Sequence, residues 1–328
     1  MVFVSASGLV SISVSLNAIS VHATCTAVFM VCAAVVGAIC CSIRTLGQIT
    51  WLGWVGLFSI LTAVITLTIS VGVQDRPADA PPNWQKEFYI IGHPDFAGAM
   101  SAVASIVFAT SATSTYFGIV SEMRDPRKFN RSMLIAQAFT TAFYIAIGVT
   151  VYYYCGQYVS FPALGSAGPL MKRVTYGIAI PGLLVTYTIY SHLPAKYIFV
   201  RLLRGSRHLS SSTPTHWMYW LSCTCGITLI AYIIGSAIPV FSNLVGFIGA
   251  FFCPWICMIP FAFMWLHDNY KNNLNRTIAI KLQAAWAVFV ILAGLFLMGA
   301  GTWSAILALI ADSSRTSPWS CADNSNSV

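Results

Sequence analysis

The chain has 328 residues, of which 57% are hydrophobic and only 8% are charged, against about 25% charged residues in an average soluble domain. A water-soluble protein of this length could not bury so much apolar surface, so the composition excludes a soluble globular fold and predicts an integral membrane protein. The formal net charge of +8 is then a topological signal in the loops that flank the membrane, and we predict no nucleic-acid partner.

Nine apolar stretches without Asp, Glu, Lys or Arg follow one another along the chain, at lengths suited to crossing a bilayer, which takes about 20 helical residues. We predict transmembrane helices over residues 2–21, 25–43, 49–73, 96–121, 133–155, 174–195, 217–239, 240–266 and 282–311. Helices are favoured over a β-barrel because the stretches are continuously apolar and far longer than about ten residues. The first stretch lacks a basic leader, so we interpret it as a transmembrane helix rather than a secretory signal. Only Pro239 marks the division between the seventh and eighth stretches.

The basic residues are distributed unequally between the two sides of the predicted membrane. With a cytoplasmic N-terminus, most of the 17 Lys and Arg residues fall in cytoplasmic loops. This group comprises Arg44, Arg124, Arg127, Lys128, Arg131, Lys196, Arg201, Arg204, Arg207, Lys271, Arg276 and Lys281. The outer group comprises Arg76, Lys86, Lys172, Arg173 and Arg315. The asymmetry agrees with the positive-inside rule, so we predict a cytoplasmic N-terminus and an outer C-terminus.

Neither the cysteines nor the sequence motifs indicate a metal site or an enzyme active site. Cys223-x-Cys225 and Cys253-x3-Cys257 lie inside apolar stretches without His or carboxylate partners, so we interpret them as small apolar side chains rather than a zinc site. Cys25 and Cys155 lie near the outer face, where a disulfide is chemically feasible, but the sequence does not pair them. No catalytic triad, HExxH, GxGxxG or P-loop motif occurs, and we predict that the protein is not an enzyme and has no cofactor or metal.

Ionisable residues are rare within the predicted spans, and two lie near the inner end of the sixth. Lys196 is close to a basic loop, which favours an anchor that extends to the membrane interface. His192 leaves two interpretations open, a proton-coupling group or a hydrogen-bonded contact between helices, of which the contact is favoured.

The middle of the fourth span is unusual because residues 109–115, ATSATST, are all small and mostly hydroxylated. Ser and Thr side chains can bond to helix carbonyls and weaken or bend the helix. A discontinuous helix offers freed N–H groups to a carboxylate and freed carbonyls to an ammonium group or a cation. Packing of helices through small residues is the alternative, and the pattern alone favours it.

Five segments carry a resemblance to a known family. They read SLNAISVHATCTAVF, SIRTLGQITWLGWVGL, VGVQDRPADAP, VFATSATSTYFGIVSEMRDPRKF and YSHLPAKYIFVRLLRGS. Together they resemble the amino acid/auxin permease family, and within it the fungal neutral and aromatic amino-acid permeases of the methyltryptophan-resistance type. The most specific part is the turn Glu122-Met-Arg-Asp-Pro126, and the similarity extends from about residue 10 to about residue 310.

The resemblance implies an all-α transporter of eleven helices, built as two inverted five-helix repeats and an extra helix. The nine predicted spans would be its third to eleventh helices, in one domain over residues 1–311 with a short polar tail at 312–328. Residues 1–73 would be a remnant of the first repeat, 96–266 the second repeat and 282–311 the extra helix. Because the Gly-rich motif of the family's first helix is not found, we expect a chain that lacks the first two helices.

The resemblance also implies a function, namely proton-coupled uptake of neutral, aromatic or large aliphatic amino acids through the plasma membrane. Na⁺ as the coupling ion and a vacuolar location remain alternatives. The partners would be a small amino-acid substrate and the lipid bilayer, and the sequence leaves the oligomeric state open. A shortened chain that does not transport, a fragment of a longer gene product and a nutrient sensor with a transporter fold are the other interpretations.

Two groups of residues follow from these considerations. The candidate substrate-binding residues are Phe108, Ala109, Thr110, Ser111 and Thr113. The candidate coupling-ion residues, chosen for helix position and polar side chains, are Thr186, Thr188, Ser191 and His192.

Overall fold

The protein is described by a computed structural model that covers residues 1–43, 46–81, 83–86, 88–209, 211–238, 240–271, 277–311 and 319–325. Within these ranges the regular secondary structure is entirely helical, with no strand. Among the described residues, eight helical segments are long and apolar enough to span a membrane, so the protein is an integral membrane protein, as the composition predicts. The predicted span at 25–43 forms a helix of only 16 residues, Thr26–Cys41, so a count of nine spanning helices is not confirmed.

The helices follow the predicted stretches in chain order. They are α1 (Val2–Ser20), α2 (Thr26–Cys41), α3 (Leu46–Val73), α4 (Phe96–Thr110), α5 (Thr113–Glu122), α6 (Phe129–Cys155), α7 (Pro169–Leu202), α8 (Pro214–Ala237), α9 (Phe241–Phe247), α10 (Ile259–Trp265), α11 (Ile278–Phe296) and α12 (Thr302–Ala311). Pi-helical turns at Ile248–Phe252 and Pro254–Met258 join α9 to α10, and another at Leu297–Gly301 joins α11 to α12.

The division between the seventh and eighth predicted spans can be compared with the structure, whereas several predicted loop residues lie outside the described ranges. The seventh and eighth predicted spans are separate helices, since α8 ends at Ala237 and α9 begins at Phe241. Pro239 itself, and the predicted loop residues Arg44, Arg276 and Arg315, lie outside the described residues.

The chain divides into two compact units. Unit 1 comprises Met1–Ile91, Val120–Phe241 and Thr316–Val328, and unit 2 comprises Gly92–Ile119 and Ser242–Arg315. Unit 1 is a bundle in which the long helix α7 packs against α1 and α3, with α2 and α8 completing the group around α1 and α7. The serine hydroxyls of α1 are satisfied within the helix, for example Ser11 Oγ donates to the Ser7 carbonyl at 2.8 Å. A helix rich in serine can therefore be buried in an apolar bundle.

A tyrosine lies at the centre of unit 1. Tyr187 on α7 is fully buried, and its hydroxyl donates to Thr228 Oγ1 on α8 at 3.0 Å. A Cβ atom added to Gly37 on α2 would lie 2.1 Å from the Tyr187 ring, and one added to Gly8 on α1 would lie 3.3 Å from Tyr187 Cβ. Four helices therefore meet around one aromatic ring, which two glycines allow to approach closely.

The segment after α12 returns to unit 1 and is bonded to it covalently. Cys321 forms a disulfide with Cys25 at the start of α2, which resolves the pairing that the sequence left open. Thr26 Oγ1 donates to the Ala322 carbonyl at 2.6 Å, and the buried Lys172 donates to the Ser325 carbonyl at 2.6 Å. We call residues 319–325 the C-terminal strap.

The strap also covers the amide of Asn17. Asn17 Nδ2 donates to Asn324 Oδ1 at 2.7 Å and to Thr26 Oγ1 at 2.8 Å, and the Asn17 side chain is fully buried. Cys155, the other cysteine that the sequence places near the outer face, is a buried free thiol. The strap therefore joins the ends of α1, α2 and α7 that face the same side of unit 1.

Unit 2 holds α4, the first part of α5 and the helices from α9 to α12. Helix α4 packs against the π-helical turn at Ile248–Phe252 and against α12. Ser304 Oγ on α12 donates to the Ala97 carbonyl near the start of α4 at 2.5 Å. Asp95 caps α4 by accepting from the Gly98 N–H at 3.2 Å, so the start of this helix is well defined.

Candidate functional site

The helix is interrupted in unit 2, at Ser111 and Ala112 between α4 and α5, which is one of the two interpretations that the sequence leaves open for residues 109–115. Ser111 has φ −87° and ψ 68°, outside the helical region. The Ser111 N–H donates to the Phe108 carbonyl at 3.2 Å, and the Ala112 N–H donates to the Thr110 carbonyl at 3.1 Å. These are bonds to the third and second preceding residues, so the i to i−4 pattern of the helix stops here.

The hydroxyl groups around the interruption terminate α4 by bonding to its carbonyls. Thr110 Oγ1 donates to the Ile106 carbonyl at 3.0 Å, and Ser111 Oγ donates to the Val107 carbonyl at 2.5 Å. On the other side, Thr115 Oγ1 donates to the Ala112 carbonyl at 2.7 Å. The serine and threonine hydroxyls of this segment therefore compete with the backbone hydrogen bonds that would continue the helix.

The five candidate substrate-binding residues all lie at this interruption, although their side chains differ in exposure. Ala109 and Thr110 are exposed, whereas Phe108, Ser111 and Thr113 are partly buried. The hydroxyls of Thr110 and Ser111 already donate to carbonyls of α4, so a ligand at the interruption would meet the backbone groups as well as the hydroxyl oxygens. The last carbonyls of α4 and the first N–H groups of α5 are helix-end groups that can meet a ligand.

The segment between α9 and α10 packs against the interruption within unit 2. A Cβ atom added to Gly249 would lie 2.0 Å from the Ala104 carbonyl oxygen and 3.1 Å from Phe108 Cβ. Cys257 Sγ lies 3.9 Å from the Ser111 carbonyl oxygen, within the distance of a weak thiol hydrogen bond. Sequence reasoning missed both residues, since it treated Cys257 as a small apolar side chain and gave no role to Gly249.

Three of the four candidate coupling-ion residues share one buried face of α7 in unit 1. Thr188, Ser191 and His192 are nearly inaccessible, whereas Thr186 is exposed. The spacing of three and four residues places the three on the same side of a helix. Thr188 Oγ1 donates to the Leu184 carbonyl at 2.8 Å, and the Thr188 carbonyl accepts from Cys41 Sγ at 3.6 Å.

His192 packs against an aromatic side chain of α8. Its ring lies edge-on to that of Trp220, with centroids 5.2 Å apart and planes at 68°. Trp220 is itself held by a bond from Nε1 to the Ser42 carbonyl at the end of α2, at 2.9 Å. His192 therefore takes part in an aromatic contact between α7 and α8. Both interpretations from the sequence, the hydrogen-bonded contact and the proton-coupling group, stay predictions.

The turn that follows α5 has the geometry that its sequence suggests. Asp125 caps the short 3₁₀ helix Pro126–Lys128, its carboxylate accepting from the Arg127 N–H at 3.2 Å. Lys128 Nζ lies 3.7 Å from the same carboxylate in a surface ion pair. Pro126 at the first helical position is pre-organised for this start.

Discontinuous helices that present backbone groups in mid-span are a feature of many secondary transporters. The chain belongs to the transmembrane amino acid transporter family, whose family model matches residues 1–307. It is 35% identical to a "Transmembrane transporter" of Gibberella moniliformis, the match covering 100% of this chain and 70% of the relative. A protein of the same description from Fusarium pseudograminearum is also 35% identical, over 99% of this chain and 69% of the relative.

A further relative carries a more specific description. The "N amino acid transport system protein" of Neurospora crassa is 30% identical, and the match covers 92% of this chain and 65% of the relative. No solved structure matches the chain. The family and these descriptions indicate a transporter.

Proposed function

We propose that the protein carries neutral amino acids, aromatic or large aliphatic, across a membrane by secondary transport. The observation that carries this proposal is the interruption at Ser111 and Ala112, in the middle of the apolar segment Phe96–Ser121, in a member of an amino acid transporter family. The description of the Neurospora crassa relative as an amino acid transport system protein supports the same substrate class.

The two helix ends at the interruption match the two charges of an amino acid. The N-terminal end of α5 carries N–H groups and a positive dipole end that favour the substrate carboxylate. The C-terminal end of α4 carries carbonyls and a negative dipole end that favour the ammonium group. In this proposal the carboxylate and the ammonium group of the substrate are bound largely by backbone groups. The residues that supply them are Phe108, Ala109, Thr110, Ser111 and Thr113.

The choice of a neutral side chain rests on the charges around the interruption. Residues 96–119 and residues 240–266, which together include α4 and the segment packed on it, contain no Asp, Glu, Lys or Arg. A charged side chain of the substrate would need a counter-charge in a low-dielectric site. The partly buried Phe108 ring and the apolar surface around it suit an aromatic or aliphatic side chain.

For coupling we propose a proton, with Na⁺ as the alternative, on the buried face of α7. Thr188, Ser191 and His192 supply hydroxyls and an imidazole there, and Thr186 extends the polar row to an exposed position. Imidazole is the side chain that changes protonation nearest neutral pH. His192 is fully buried on this face, so in this proposal its protonation accompanies a change of conformation that admits solvent to the ring.

For orientation we propose a cytoplasmic N-terminus and an outer C-terminus, in the plasma membrane. The disulfide between Cys25 and Cys321 supports this arrangement, because disulfides persist on the oxidising side of a membrane. One span, α1, precedes Cys25, and Cys321 follows α12. The two cysteines therefore share a side of the membrane only if the number of spans before Cys321 is also odd. Counting the short helix α2 as a span satisfies that condition.

The experiment is an uptake assay in yeast cells with low background transport, expressing the whole 328-residue chain. We expect saturable uptake of labelled leucine and phenylalanine that exceeds uptake of labelled lysine and is abolished by a protonophore. Faster uptake of lysine would contradict the neutral substrate. Uptake that resists the protonophore but requires external Na⁺ would contradict proton coupling and would leave the neutral substrate unaffected.

A further inference from the structure

The segment from α9 to α10 is irregular over its middle third. Two π-helical turns, Ile248–Phe252 and Pro254–Met258, follow each other almost without a gap. Pi-helical turns are rare within α-helices and occur frequently at functional sites. An irregular stretch of this length in the middle of the apolar segment Phe241–Tyr270 therefore needs an explanation.

The irregular stretch lies directly against the residues that lead into the interruption. Gly249, in the first π-helical turn, approaches the Ala104 carbonyl so closely that even a methyl group would lie 2.0 Å from its oxygen. The same methyl group would lie 3.1 Å from Phe108 Cβ. The backbone of the first π-helical turn thus sits on the last two turns of α4, and only glycine permits the approach.

The second π-helical turn places a thiol at the interruption itself. Cys257 Sγ lies 3.9 Å from the carbonyl oxygen of Ser111, the residue whose dihedral angles end α4. Cys253, four residues earlier, is buried, whereas Cys257 is partly buried. A thiol is a weak donor, but the carbonyl it meets is the one whose direction is set by the interruption rather than by helix geometry.

Building on the proposed transport, we propose that Cys257 is a positioning residue for substrate binding. Its thiol and the two π-helical turns hold the Ser111 carbonyl in the direction that serves the ammonium group of an amino acid. Gly249 sets the distance at which the irregular stretch lies on α4. The thiol thereby lines the binding site, although it does not itself bond to the substrate.

Two substitutions separate this role from simple packing. Cys257→Ser keeps a donor of similar size, and Cys257→Ala removes the donor with little loss of volume. We expect Cys257→Ala to raise the KM for leucine by about two- to fivefold, the lower part of the range for one lost hydrogen bond, with Vmax within about twofold. Cys257→Ser is expected to restore KM to within about twofold of wild type. Cys32→Ala, at an exposed cysteine of α2, is the matched control, and surface amounts are measured for all four chains.

Thiol modification supplies an independent measurement. A small methanethiosulfonate reagent should inhibit leucine uptake by the wild-type chain, saturating leucine should protect it, and Cys257→Ser should be resistant. An unchanged KM in Cys257→Ala, or inhibition that persists in Cys257→Ser, would overturn the positioning role while wild-type uptake leaves the transport function standing. If wild type and Cys32→Ala both reach the surface without saturable uptake, the transport function fails and this inference falls with it.

Discussion

The packing of Tyr187 against Gly37 leads to a quantitative prediction for Gly37→Ala. The added methyl group would lie 2.1 Å from Tyr187 Cε1, whereas ordinary contact begins at 3.4 Å, so the ring must move by about 1.3 Å in a close-packed interior. It has little room to do so, because Tyr187 Cβ already lies so near Gly8 on α1 that a Cβ atom there would be only 3.3 Å away. A moving ring would also strain the bond from its hydroxyl to Thr228.

The expected cost combines two effects. Overpacking by a methyl group costs about 1–3 kcal/mol, and a strained or lost hydrogen bond adds about 1 kcal/mol. At roughly 2–4 °C per kcal/mol, the apparent Tm of the chain in detergent should fall by roughly 4–16 °C. The assay is thermal unfolding followed by size-exclusion of the fluorescently tagged chain.

Two further variants test the reasoning behind this number. Gly226→Ala, at a glycine of α8 where the added Cβ would meet no described atom within 4 Å outside its own stretch of helix, should leave the Tm unchanged or raise it slightly. Tyr187→Leu combined with Gly37→Ala should recover part of the loss, since residues in contact are not additive. If Gly37→Ala has the wild-type Tm, or if the double variant is as unstable as the sum of its parts, the steric explanation is refuted.

Two other predictions concern the strap and the approach of Gly249 to α4. In Cys321→Ser, Cys25 should react with a membrane-impermeant maleimide added to intact cells. The free energy of unfolding should fall by about 2–4 kcal/mol, an amount typical of a lost disulfide. A Cys25 that stays unreactive would contradict the outer position of the strap. Gly249→Ala should lose most leucine uptake at equal surface amount, because its methyl group would clash with the Ala104 carbonyl, while Gly299→Ala, with open space around the added Cβ, should keep it. Equal uptake by these two variants would show that the approach of Gly249 to α4 is not required.

Much of the architecture could be predicted because it is encoded locally. Continuous apolar stretches bounded by basic loops predict the spanning helices, and eight of them are long enough in the structure. The hydroxyl-rich residues 109–115 indicate a helix that could be interrupted, although the pattern alone favours packing through small residues. In the structure Thr110 and Ser111 bond to carbonyls one turn earlier. These features need no information from distant parts of the chain.

Other features could not be predicted because they depend on distant residues. Cys25 and Cys321 are separated by 296 residues, and nothing near Cys25 indicates its partner. The burial of Lys172 under the strap follows from the same pairing. Sequence assigns Cys257 to an apolar segment, and only the π-helical turns bring its thiol to the Ser111 carbonyl.

The length of α2 shows that apolar composition does not determine where a helix begins and ends. Residues 25–43 are uncharged throughout, so composition predicts a full span. The helix nevertheless begins at Thr26, after the disulfide-bonded Cys25, and ends at Cys41. Tertiary contacts at both ends, including the bond from Trp220 to the Ser42 carbonyl, set boundaries that apolar composition does not record.

The most direct measurement compares leucine uptake by Ser111→Trp with uptake by Ile106→Trp at equal surface amount. Both substitutions place indole on the segment before α5, but Ser111 is at the interruption, whereas Ile106 is an exposed side chain in the regular part of α4. Transport through the interrupted helix predicts that Ser111→Trp abolishes uptake while Ile106→Trp retains it. Wild-type uptake by Ser111→Trp would contradict a substrate site at Ser111 and Ala112.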